Sequence, residues 1–158
     1  MQSTKTGAQL TPAGLKELEQ ELQELVEVKL PSIIARVEVA RSYGDLSENA
    51  EYSNAKEEQE LCETRIEELR QVLANAVVVN KTAQHSKVGI GSKVTIKQKG
   101  KKQSITYLIV GEFEADPLKL KISSVSPIGK ALQGKKKGDE VSVKTPGGAV
   151  EYEIEEIA

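Results

Sequence analysis

Tryptophan is absent from this 158-residue sequence, and only five side chains are aromatic, four Tyr and one Phe. A single large globular core normally uses more, so the scarcity favours a helical rod plus a compact β module. Cysteine occurs once, as Cys62, which excludes an internal disulfide and suits a reducing compartment. The one histidine, His85, has no cysteine nearby, so zinc spacing is excluded. No apolar run approaches membrane-spanning length. The N-terminus lacks the charged-then-apolar layout of a signal peptide. A cytoplasmic protein that contacts no membrane is expected. No Gly-rich phosphate loop or nucleophile elbow occurs, so no self-contained catalytic motif is visible.

The length suits one ordinary domain or two small ones. Charge divides the chain in two. Residues 1–80 hold 8 Lys and Arg against 15 Asp and Glu, whereas residues 81–158 hold 14 against 9. The halves therefore carry fields of opposite sign, −7 and +5. A basic face alone is usually just solvated and names no partner.

In the acidic half, Thr11 followed by Pro12 starts a helix, with Thr11 as N-cap and Pro12 at the first position. Leu15, Leu18, Leu22 and Leu25 then recur as a heptad seam. Pro31 predicts a kink or one-turn break, yet the apolar pattern resumes with Ile33, Ile34, Val37 and Ala40 and runs to about Tyr43. Gly44 suits the helix C-terminus. A second seam follows at Ala55, Cys62, Ile66, Leu69, Leu73 and Ala76, with Cys62 as a small core residue. The turn between the two helices is short, so they are expected to pack antiparallel. The tip, residues 43–52, then lies at the end of a lever of roughly 45 Å.

The tip is acidic. Asp45 and Glu48 stand three residues apart before the second helix, a spacing that suits a capping box with Asp45 as N-cap. Glu51 adds a third carboxylate. Hard cations such as Mg²⁺ take one or two protein carboxylates with water and substrate phosphates. The spacing is compatible with capping and with metal binding.

Residues 80–92 read as a polar linker. Beyond them the apolar period changes to two, giving strands over 93–99, 103–110, 118–125, 141–144 and 149–157. A hairpin turn occupies 145–148, and a short helix opens at Ser126-Pro127 and ends at Gly134. The expected fold class is α+β: a coiled-coil hairpin over 1–79, then a small β-rich domain over 80–158.

The run Gly44-Asp-Leu-Ser-Glu-Asn-Ala-Glu-Tyr52, followed by Ala55-Lys-Glu-Glu-Gln59, resembles the tip of bacterial Gre-type transcript-cleavage factors, nearest their GreA branch. Leu10-Thr-Pro-Ala-Gly14, the segment 122–134 with Ser126-Pro127-Ile128, and Lys144-Thr-Pro-Gly-Gly148 resemble the same family in the same order. The resemblance implies that the coiled coil enters the secondary channel of bacterial RNA polymerase. It implies a C-terminal domain similar to FK506-binding proteins, docking at the channel rim through Ser126, Pro127 and Ile128. Asp45 and Glu48 match the family's acidic pair. They would share a Mg²⁺ with the polymerase and promote its cleavage of a backtracked RNA 3′ end, releasing arrested complexes. Arg41 and Lys56 match its RNA-contacting basic positions, although Lys56 stands where arginine is frequent. The chain would be a stimulator of the polymerase and not an enzyme, with no small-molecule substrate and no stably bound cofactor of its own. A relative that occupies the channel and inhibits is the alternative. An isomerase would need an aromatic-lined pocket, for which this half offers only Tyr107, Phe113 and Tyr152.

Overall fold

The computed structural model describes residues 7–80 and 86–158. His85 lies outside the described residues. By packing, the chain forms two compact units, one of Lys16–Asn75 and the other of the described residues up to Leu15 together with Ala76–Ala158. The expected plan grouped residues 7–15 and 76–79 with the coiled coil; in the structure they fall in the second unit.

The first unit is a helical hairpin. Helix α1 (Pro12–Glu24) is followed by a π-helical turn over Leu25–Lys29, α2 (Leu30–Ser42), the tip and α3 (Ala50–Ala74). The π turn replaces the kink or break expected at Pro31. Proline cannot donate to the carbonyl four residues back, and its ring crowds that group. A wider turn relieves the clash, and it closes with Leu30 N–H donating to the Leu25 carbonyl. The buried positions of the first arm are Leu18, Leu25, Ile33 and Ala40, separated by seven, eight and seven residues. The π turn absorbs the one extra residue and keeps all four on one face. Across from them α3 buries Ala55, Cys62, Ile66 and Leu69. Leu15, Leu22 and Leu73 are only half-buried, and Ala76, expected on the seam, lies past the end of α3. Paired side chains confirm that the arms run antiparallel. Arg65 reaches Glu21 with two bonds, at 2.8 and 3.1 Å, and Arg36 bonds Glu58.

The second unit centres on a five-stranded sheet. Its strands are β3 (Lys93–Gln98), β4 (Ser104–Val110), β5 (Lys121–Ser123), β6 (Glu140–Thr145) and β7 (Gly148–Ile157). The spatial order is β5-β4-β3-β7-β6, antiparallel except for the β4–β5 pair. Helix α4 (Pro127–Leu132) contributes Leu132 to a core of Val88, Val94, Ile96, Ile109, Val141 and Ile154. A separate two-stranded parallel ladder joins β1 (Gln9–Leu10) to β2 (Val77–Val78).

Two sequence expectations change here. The segment expected as a linker to residue 92 is folded from Val88 onward. Val88 and Ile90 are buried, and Val88 exchanges backbone bonds of 2.8 Å with Gly134 and Lys135. A polar composition with two apolar side chains was enough to complete the core. The strand expected over 118–125 shrinks to β5. Asp116 accepts from Leu118 N–H, and Pro117–Lys119 forms a 3-10 turn. That turn ends at Leu120 with φ 55°, a left-handed conformation incompatible with a strand.

Candidate functional site

Helix α2 ends at Tyr43, whose N–H bonds the Ala40 carbonyl at 3.3 Å. Gly44 follows at φ 77° and donates to the Arg41 carbonyl at 3.3 Å. This left-handed step after the helix is one that glycine takes without a Cβ penalty. Asp45 follows at φ 20°. Asp tolerates positive φ better than most residues because its short polar side chain bonds locally. Here Ser47 Oγ donates to Asp45 Oδ1 at 2.7 Å.

The cap of α3 is Asn49, not Asp45. Asn49 Oδ1 accepts from Tyr52 N–H at 3.0 Å, and Asn49 Nδ2 donates to the Ala40 carbonyl at 2.7 Å. The physical reason is the amide's dual character: it accepts from one helix and donates to the other, which a carboxylate cannot do. An N-cap also needs extended backbone, which Asn49 has at φ −90°, ψ 95° and Asp45 lacks. The asparagine thus closes the turn, and the capping box read from the Asp45–Glu48 spacing does not form. Sequence reasoning missed both Asn49 and Ser47. Asn49 was detectable as a strong N-cap residue three positions before Tyr52, but two acidic candidates upstream matched the better-known pattern.

The consequence is chemical. Asp45 and Glu48 are exposed, and neither is engaged by a cation among the described residues. Asp45 retains one oxygen outside its bond to Ser47. Glu51 sits apart, in the first turn of α3, where it complements the helix dipole. Among the described residues, no group of three or more His, Cys, Asp or Glu side chains could hold a metal. Two exposed carboxylates fit a hard cation only as part of a larger ligand set.

Two family descriptions match this chain in succession. "Transcription elongation factor, N-terminal" covers residues 8–78, and "Transcription elongation factor, GreA/GreB, C-term" covers residues 83–158. The chain belongs to the GreA/GreB family of transcription elongation factors. Transcription elongation factor GreA of Thermoanaerobacter pseudethanolicus is 46% identical over 149 residues, which cover 94% of this chain and 95% of that protein. GreA of Bacillus cereus is 42% identical over 153 residues, covering 96% and 97%. Among solved structures, GreA factor homolog 1 of Thermus thermophilus is 30% identical, covering 96% of this chain and 99% of that one, with a TM-score of 0.44.

The remaining residues singled out in this GreA/GreB family member fall in two places. Arg41 lies in the last turn of α2, and its side chain is exposed. Lys56, in the second turn of α3, is half-buried with its Nζ 3.4 Å from Gln59 Oε1. Ser126, Pro127 and Ile128 belong to the sheet unit. Ser126 caps α4 as expected, accepting from Gly129 N–H at 3.1 Å and donating to the Ser123 carbonyl at 2.7 Å. Pro127 is exposed, while Ile128 packs partly against the sheet core. Tyr107 and Tyr152 also pack against that core. No helix among the described residues is long and apolar enough to cross a membrane.

Proposed function

We propose that this chain acts on bacterial RNA polymerase in the cytoplasm, entering its secondary channel with the hairpin and stimulating cleavage of backtracked RNA. The observation that carries the reading is the pair Asp45 and Glu48, exposed at a tip whose helix is capped by a different residue. Their carboxylates would share a Mg²⁺ with the polymerase. Such an ion, when bound, lowers the pKa of coordinated water and makes it a nucleophile at neutral pH. Asp45 is held by Ser47, and Asn49 pins the turn to α2, so both carboxylates project from a fixed backbone. Arg41 and Lys56 would contact the extruded RNA. The sheet unit would share the fold of FK506-binding proteins and dock at the channel rim through Ser126, Pro127 and Ile128. The factor itself is no enzyme; the polymerase owns the active centre.

The test is RNA cleavage in stalled, backtracked complexes across a Mg²⁺ titration. Asp45→Ala and Glu48→Ala should both lose stimulation while still competing with the unaltered factor for polymerase. Unchanged cleavage in both would sink the mechanism. Slowed RNA synthesis without cleavage by the unaltered chain would instead favour a channel-occupying inhibitor.

A further inference from the structure

The aromatic side chains of this protein are distributed unevenly. Tyr52, Tyr107 and Tyr152 are at least partly buried, and Phe113 is 45% exposed. Tyr43 is 72% exposed, at the C-terminal end of α2 and two residues before Asp45. Single apolar groups on a surface are ordinary, but three features set this one apart. Its backbone is pinned from both sides, by its own N–H to Ala40 and by Gly44 N–H to Arg41. Most of its surface faces solvent, and its hydroxyl has no hydrogen-bond partner among the described residues. Its Cα lies within about 7 Å of chain from that of Asp45, the scale of a single nucleotide.

An exposed ring on a rigid turn is the element that proteins use to hold single-stranded nucleic acid, because every base offers a face to stack on. We propose that Tyr43 is a base-stacking residue: its ring packs on a nucleobase of the extruded RNA and holds the adjoining phosphodiester beside the carboxylate pair. This rests on the functional reading above and adds a positioning element that the acidic pair cannot supply, since carboxylates repel the RNA backbone. Stacking needs the ring and not the hydroxyl, and it strengthens with the area of the base.

The experiment uses backtracked complexes of bacterial RNA polymerase that differ only in the RNA 3′-terminal nucleotides, purine or pyrimidine. The full-length chain is compared with Tyr43→Phe, Tyr43→Ala and Asp45→Ala. Tyr43→Phe should match the unaltered chain. Tyr43→Ala should cleave about tenfold more slowly with purine ends and lose less with pyrimidine ends. A purely structural role would lower both equally. Circular dichroism of each variant should be unchanged, because the side chain is exposed. Equal cleavage by Tyr43→Ala and the unaltered chain at every end overturns the stacking role alone, provided Asp45→Ala is inactive. A Phe variant as slow as the Ala variant also overturns it, by moving the role to the hydroxyl. Failure of the unaltered chain to stimulate cleavage at all overturns this proposal together with the reading beneath it.

Discussion

At the start of α1 the Glu114 carboxylate is 7% exposed and accepts from Thr11 N–H at 2.9 Å, Gly111 N–H at 3.1 Å and the Thr11 hydroxyl. Ahead of α3, Asp45 and Glu48 stand in solvent, and an asparagine caps the helix. Both regions bring acidic side chains to a helix N-terminus, where they are electrostatically welcome. They differ in commitment. Glu114, from a distant part of the sequence, serves orphan donors that burial would otherwise leave unpaired. Thr11 Oγ1 meanwhile accepts from Gly14 N–H at 3.0 Å. The tip carboxylates serve no helix end and remain available to a ligand. Proximity of an acid to a helix start thus says little about its role until burial and partners are known.

The comparison can be broken most sharply at the tip. Asp45→Ala or Glu48→Ala should reduce stimulated cleavage by on the order of a thousandfold, about 4 kcal/mol of barrier. Thermal unfolding should stay within error of the unaltered chain. A large fall in melting temperature would show that these residues are structural after all.

The reverse is expected at Glu114. A Cβ on Gly14 would lie 1.7 Å from Glu114 Oε1, so Gly14→Ala must displace the buried carboxylate. Denaturant titration should show a loss of about 3 kcal/mol, the usual scale for breaking a buried charged network. Glu114→Gln should lose less, because the amide oxygen still accepts.

Next in size is Asn49. Asn49→Ala removes both the cap and the bond to Ala40, about 1–2 kcal/mol of local stability. Asn49→Asp keeps the acceptor and loses the donor, and should fall between. Amide exchange at residues 43–53 measures this directly, and equal protection in all three proteins would discount the clasp.

Backbone strain gives the smallest effect. Asp45 and Leu120 both have positive φ, but only Asp45 has a short polar side chain bonded locally. Leu120→Gly should therefore stabilise the sheet unit by about 1 kcal/mol, whereas Asp45→Gly should gain little. Equal gains would remove the distinction drawn between the two positions.

Much of the architecture was legible because it is written in local periodicity. The seams through Leu18, Leu25, Ile33 and Ala40 and through Cys62, Ile66 and Leu69 announce a hairpin. The alternation in β3 and β7 and the Ser126-Pro127 helix start announce the second unit. These signals depend on neighbours a few residues apart, so the chain carries them alone. The family motif at the tip was equally local.

What only the tertiary structure decided involved residues far apart or close competitors. Pro31 could kink, break or widen the helix, and the need to keep Leu25 and Ile33 on one face selected a π turn. Val88 became core because the loop after α4 lay alongside to pair with its backbone. Thr11 was visible as a cap, but its partner Glu114 lies 103 residues away, beyond any local pattern. Asp45, Ser47 and Asn49 all have cap chemistry. Asn49 prevailed because the Ala40 carbonyl of the other arm offered its amide a second bond, and that choice left the two carboxylates exposed.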